Sequence, residues 1–194
     1  GIGTSSPSSN LEVRGSSTDS ATGMTGILTL SAGFNNINAT DQLGRINFQA
    51  PVEASGTDAI LSGASIYGIS EATFSASNNS TALVFATATS SSSIERMRID
   101  SSGNVGIGTS SPSVPLHISK ATDGGLTEIF INNAAGGGST DETVGIRFTH
   151  NQATAAGILA GRTEDFSSSA NRSGHLIFKT NNDDSYAERM RITS

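Results

Sequence analysis

The sequence predicts an all-β protein of two tandem β-rich repeats, and three observations carry that prediction. ERMRI fills Glu95 to Ile99 and returns at Glu188 to Ile192, while GIGTSSPS fills Gly1 to Ser8 and returns at Gly106 to Ser113. Between these markers, short apolar-polar alternations recur, separated by Gly, Asn and Ser clusters. No stretch shows the 3.6-residue period of a long helix. The full junction, Glu95 to Ser113, occurs once in the middle, and its two halves stand at the two ends. We therefore read the chain as two units, 1–104 and 105–194, of a longer tandem array.

Composition agrees with this class. Of 194 residues, 35% are hydrophobic, 5% aromatic and 14% charged, the last well below the ~25% of an ordinary soluble domain. Ser, Thr, Asn, Ala and 22 Gly fill the difference, which suits β-structure with many turns and small-residue packing. Each unit is short of apolar material for a core of its own, so association of several chains is expected to supply burial. The net charge of −6 and the scattered Lys and Arg argue against a nucleic-acid partner. With no Cys, disulfides and thiolate metal sites are excluded. No run of about 18 apolar residues is present, so no inserted membrane helix is expected.

In chain order, Pro7 should end strand pairing after Ile2, because proline has no amide hydrogen. Leu11-Glu12-Val13-Arg14 alternates as a half-buried strand does, and Leu116-His117-Ile118-Ser119 has the same phase. Met24 to Leu30 and its counterpart Thr127 to Asn132 read as strands, each followed by a turn-rich segment, Gly33 to Asn38 and Asn133 to Gly138. Arg45 to Gln49 and Gly145 to Thr149 each place an Ile and a Phe two residues apart, on one face. Ala59 to Ile69 corresponds to Ala155 to Arg162, and Leu83-Val84-Phe85 to Leu176-Ile177-Phe178.

The GIGTSSPS copies stand 105 residues apart and the ERMRI copies 93 apart, so the first unit carries twelve more residues. We place that surplus between Gln49 and Leu83, in loops such as Ser75 to Thr81. In ERMRI, Met97 and Ile99 should face inward as core, with Arg96 and Arg98 on the other side; Met190 and Ile192 repeat this opposite Arg189 and Arg191. Glu95 and Glu188 accompany the arginines, and Glu-Arg pairs there could fix which strand meets which. Ser101 to Asn104 is a turn. Val105 to Thr109 resumes alternation with Gly at every second place, which implies close approach of another backbone, as at a threefold axis.

ERMRIDSSGNVGIGTSSPS followed by Leu-His-Ile resembles a repeat common in bacteriophage tail fibres and related virion stalk proteins. There, GNVGIGT-type segments often lie upstream of a self-cleaving intramolecular chaperone of the endosialidase type. The resemblance is close over Glu95 to Ile118 and over the split copy at the termini. It implies an extended homotrimer, intertwined about its axis as packed β-sandwiches or a triple β-helix, located on the virion and extracellular. It further implies a structural shaft that supports host-surface attachment. No chaperone domain or receptor-binding tip is recognisable in these residues.

No catalytic, cofactor-binding or metal-binding residue is expected, and the chain is read as not an enzyme. His117, His150 and His175 have no second metal-type ligand within four residues, so they read as surface or interface side chains. The acidic pairs Asp141-Glu142, Glu164-Asp165 and Asp183-Asp184 lie in turn-rich segments; glycosidase chemistry needs carboxylates facing each other across a cleft. Gly106-Ile107-Gly108 leads into Ser-Ser-Pro instead of a helix, which removes the dinucleotide reading. Asn38-Ala39-Thr40, Asn79-Ser80-Thr81 and Asn171-Arg172-Ser173 match the glycosylation pattern by composition. The alternative function is a glycan-binding module or cell-surface adhesin, using loops such as Ser75 to Thr81 or Gly161 to Ser173. Its aromatic platforms would have to be Tyr67 and Tyr186, since there is no Trp.

Overall fold

Alternation becomes pairing in the computed structural model, which describes residues 11, 27–50, 53–121, 126–134, 142–151, 153–163, 173–183 and 185–193. All regular elements among them are strands: β1 (Gln42–Gln49), β2 (Ser62–Ser70), β3 (Thr81–Thr87), β4 (Ile94–Ile99), β5 (Val105–Ile107) and β6 (Leu116–Ile118), then β7 (Thr143–His150), β8 (Ala153–Arg162), β9 (Gly174–Asn182) and β10 (Ser185–Thr193). The first six form one sheet in sequence order, and the last four form a second meander. Neighbours are antiparallel except β5 and β6, which run parallel.

The chain divides by contacts into Gly1–Thr127 and Glu128–Ser194. The repeat boundary at 104/105 is therefore no break in the sheet: β5 pairs back onto β4. Asp100 makes this hairpin tight by accepting the amides of Ser102 at 2.9 Å and Asn104 at 2.8 Å, with Gly103 at φ 84°. After β5 the chain turns at Gly108 (φ 73°), and β6 lies beside β5 with Ser119 N donating to the Ile107 carbonyl at 2.9 Å.

The close approach expected at these glycines comes from the chain itself. A Cβ on Gly106 would stand 2.6 Å from the Thr109 carbonyl oxygen, and one on Gly108 would collide with the Ser119 carbonyl. No threefold axis is needed to account for them.

The first four strands of the first sheet, β1 to β4, are repeated strand for strand by β7 to β10. Ile46, Ile66, Phe85 and Met97 stand side by side across β1 to β4, as Ile146, Ile158, Phe178 and Met190 do across β7 to β10. The surplus of the first unit lies mainly in the β1–β2 connection, residues 50–61, against 151–152 between β7 and β8. The loop holding Ser75 to Thr81 is not its source, for residues 71–80 are matched by 163–173. Asn151 (φ 47°) and Asp183 (φ 48°) open the two-residue hairpin turns, where positive φ suits the right-handed twist of the strands.

Two expected strands are corrected. Ile27 to Leu30 and Thr127 to Asn132 are not strands, and Ile27 and Phe130 are 73% and 83% exposed. Their residue types favour strands, but a strand needs a ladder partner, and the described part of the chain gives them none. Met24 to Gly26, Glu12 to Arg14 and the Gly1 to Ser8 copy lie outside the described residues.

Among the described residues the buried hydrophobic core is small and sits on the side opposite Ile46 and Phe85. In the first sheet it is Ala82, Val84 and Ala86 with Ser65, while Ser70 is buried at the end of β2 in phase with Ile66; in the second it is Leu159 and Ile177. Met190 and Ile192 are half exposed, which corrects their reading as core within the chain; Met97 and Ile99 are half-buried.

Candidate functional site

Strand alternation gives each sheet one polar and one apolar face. On the polar face of the first sheet, Arg45, Tyr67, Val84, Arg98, Gly106 and His117 form one row across all six strands. Val84 is fully buried there because long neighbours lie around it. The Arg45 guanidinium stands 5.2 Å from the Tyr67 ring centroid and donates to Asn47 and Ser93. Burial pushes the Tyr67 hydroxyl pKa up, and the nearby Glu95 charge adds to it.

Arg98 is bound bidentately by Glu95, at 2.7 and 2.8 Å, and by Glu71 at 3.4 Å. The Glu95 hydrogen bond raises the already high guanidinium pKa further. Glu71 also accepts the Ser101 amide at 2.9 Å, tying the β4–β5 turn to the same cluster. In the second sheet, Glu188 and Arg191 repeat the bidentate pair, with a shortest distance of 2.6 Å.

Arg96 and Arg98 do not share a face. Arg96 is an extra residue in β4, and its Nε donates to Thr87 Oγ1 at 3.1 Å. Arg189 does the same to Thr180 Oγ1 at 2.8 Å.

The other face of each sheet is apolar. In the first sheet the row Ile46, Ile66, Phe85, Met97, Ile107 and Ile118 is flanked by Leu83, Ile99, Val105 and Leu116, and at its far side by Phe48. The second sheet presents Ile146, Ile158, Phe178 and Met190 with Val144, Leu176, Ile192 and Phe148 beside them. Phe48 and Phe148 are 55% and 52% exposed, so these are faces open to water. Leu30 lies over Gly44 at one corner, where its carbonyl oxygen stands 2.5 Å from the place of a Cβ.

The remaining expected residues fall as follows. His117 and His175 are half-buried on the polar faces, each with Nδ1 unpartnered, and His150 is exposed at the end of β7. Glu142 is paired with Arg162 at 2.6 Å, and Asp183 sits in the β9–β10 turn; Asp141, Glu164, Asp165 and Asp184 lie outside the described residues. Tyr67 is half-buried beneath Arg45, and Tyr186 lies near Arg147 and Lys179. Neither ring is an open platform. The loop at Ser75 closes on itself through the Ser75–Asn78 bridge, and residues 164–172 lie outside the described residues.

No family model matches the chain, and no curated protein matches it. Among solved structures it is similar to the carboxy-terminal domain of the bacteriophage T5 L-shaped tail fibre, at 13% identity and TM-score 0.39, over 91% of this chain and 86% of that one. It is also similar to that domain with its intramolecular chaperone, at 11% identity and TM-score 0.41, over 90% of this chain and 58% of that one. No residue role transfers at such identities.

Proposed function

We propose that the chain is a non-enzymatic structural segment of a bacteriophage tail-fibre shaft, acting as an extracellular homotrimer on the virion and supporting host-surface attachment. The observation that supports it best is the pair of open apolar faces, repeated in register on both sheets. Each large aliphatic or aromatic side chain buried from water contributes about 1.5–3 kcal/mol, so covering such rows is strongly favourable. Among the described residues the intrachain core is too small to offer that burial. Identical chains provide identical faces, and closed symmetry lets every copy cover another. The resemblance of the ERMRI and GIGTSSPS junction to tail-fibre repeats supplies the biological setting.

The test is absolute mass by light scattering, alongside unboiled and boiled SDS gels. We expect three times the 19.7 kDa chain mass, surviving unboiled SDS. A stable folded monomer would overturn the shaft reading, and hits on a glycan array would then favour an adhesive module.

A further inference from the structure

We propose that Arg147, Lys179 and Tyr186, on the polar face of the second sheet, form a binding site for a phosphate group, free in solution or carried as a monoester on a sugar. The site lies on the face that the lateral association proposed above leaves uncovered, and it does not depend on that association.

Strands β7 to β10 place the residues. Arg147, Gly157, Lys179 and Glu188 form one row across the four strands, and Tyr186 stands two positions before Glu188 on the same face. Gly157 has no side chain, and the Tyr186 hydroxyl fills the place where its Cβ would be. The Arg147 guanidinium lies 5.8 Å from the Tyr186 ring centroid and the Lys179 ammonium 5.1 Å. Two like charges thus flank one phenol. Among the described residues neither cation has a carboxylate at ion-pair distance, and Glu188, opposite Lys179, is held bidentately by Arg191. The Tyr186 hydroxyl is buried with no hydrogen-bond partner, and so is the side-chain oxygen of Asn181, which faces Tyr186 across the β9–β10 ladder. Buried polar groups are normally paired, and two neighbours left without partners call for an external one.

The same framework is closed in the first sheet. There Asn47, Ser65, Ala86 and Ser93 stand where Arg147, Gly157, Lys179 and Tyr186 do. The Ser65 and Ser93 hydroxyls meet at 2.9 Å, and Arg45 donates to Ser93 at 2.8 Å and to Asn47 at 2.6 Å. Arg45 and Arg98 are balanced on that face by Glu71 and Glu95, whereas Arg147, Lys179 and Arg191 have Glu188 alone among the described residues. A local excess of positive charge on a chain of net charge −6 suits a dianion. The guanidinium fork takes two phosphate oxygens, and the ammonium and phenol donate to what remains. A carboxylate, with two oxygens and one charge, leaves a donor and a cation unanswered.

The test is titration of the full chain with inorganic phosphate at constant ionic strength, followed by calorimetry and phosphorus NMR. A single saturable site per chain in the millimolar range is expected. Arg147→Ala and Lys179→Ala should each weaken binding about tenfold, the loss of one charge-assisted hydrogen bond. Tyr186→Phe keeps the ring over Gly157 and should weaken binding several-fold with the circular dichroism unchanged. Arg96→Ala removes an exposed arginine from the first sheet and should leave binding intact. A hexose phosphate separates the two sources: tighter binding than phosphate assigns the site to a phosphorylated sugar, and equal or weaker binding to free phosphate. No saturation by phosphate, or acetate binding as tightly, would overturn the proposal. So would equal losses in Arg147→Ala and Arg96→Ala, because the attraction would then belong to charge in general. A trimer by light scattering that binds no phosphate would sink this inference alone and leave the shaft reading standing.

Discussion

Glu95 and Arg98 share one face of β4 although three positions separate them, because Arg96 stands as an extra residue between them. In a regular strand, positions three apart point to opposite faces. Phe85 pairs with Met97 and Ala86 with Glu95, so the ladder skips Arg96 and brings the two charges to 2.7 Å. The skip recurs at Arg189, and Glu188 and Arg191 meet in the same way. A bulge that recurs with its ion pair in both sheets is a designed feature that re-aims a side chain and increases local twist.

The first prediction follows from that pair. Arg98→Ala leaves Glu95 and Glu71 facing each other with no cation, and should cost about 1–2 kcal/mol after discounting for partial exposure. Arg191→Ala should cost clearly less, since Arg191 has a single carboxylate partner and is more open to water. Denaturant midpoints of the two variants check this. Equal costs would mean that Glu71 and the β5 cover add nothing.

Phase conflict within ERMRI explains why this geometry was not legible beforehand. Strict alternation puts Glu95 in phase with Met97 and Ile99, and that mismatch was the available signal for a bulge. The Ile46-Phe48 and Ile146-Phe148 faces were legible because period-2 patterning fixes facing once a strand exists. The same patterning failed at Ile27 to Leu30 and Thr127 to Asn132, where the described residues supply no partner strand. Which face is buried within one chain was also not legible. Met190 and Ile192 look like core, yet the chain buries Leu159 and Ile177 on the opposite side.

A second prediction concerns Gly108. Its φ of 73° and the nearby Ser119 carbonyl leave no room for a side chain. Gly108→Ala should cost about 1–3 kcal/mol. Exchange protection should be lost first at the Ser119 amide, which bonds the Ile107 carbonyl at 2.9 Å. Protection unchanged at Ser119 would show that the turn does not hold the parallel pair.

Acid stability provides the third. The hydrogen bond from Arg191 holds Glu188 below its ordinary value of 4.5. Partial desolvation raises Asp100, but bonds from Asn104 and Ser102 outweigh it and leave the carboxyl below 3.8. A carboxylate with a depressed folded pKa stabilises the fold above its unfolded pKa and loses that contribution as pH falls through the folded value. Melting temperature should therefore be flat near neutrality and decline as pH drops below the ordinary carboxylate range. Glu188→Gln with Asp100→Asn should flatten that decline. An unchanged acid limb in the double variant would assign it to other carboxylates.

The fourth prediction separates what holds one chain together from what holds chains to each other. Ile46 and Ile146 occupy the same position in the two apolar rows and are 45% and 49% exposed. Replacing both with Lys removes little intrachain burial, so the β circular dichroism of the chain should persist. If the apolar faces are the lateral interface, however, the ammonium groups would have to be buried there without partners. That desolvation is costly by several kcal/mol per charge. The doubly substituted chain should sediment as a monomer at concentrations where the unmodified chain is assembled. Val84→Ala on the polar face is the control, since it should lower chain stability through a cavity while leaving the apolar rows untouched. Assembly that survives Ile46→Lys and Ile146→Lys but fails with Val84→Ala would place the lateral contact on the wrong side of the sheets in our reading, and would move it to the Arg98 and Arg191 faces.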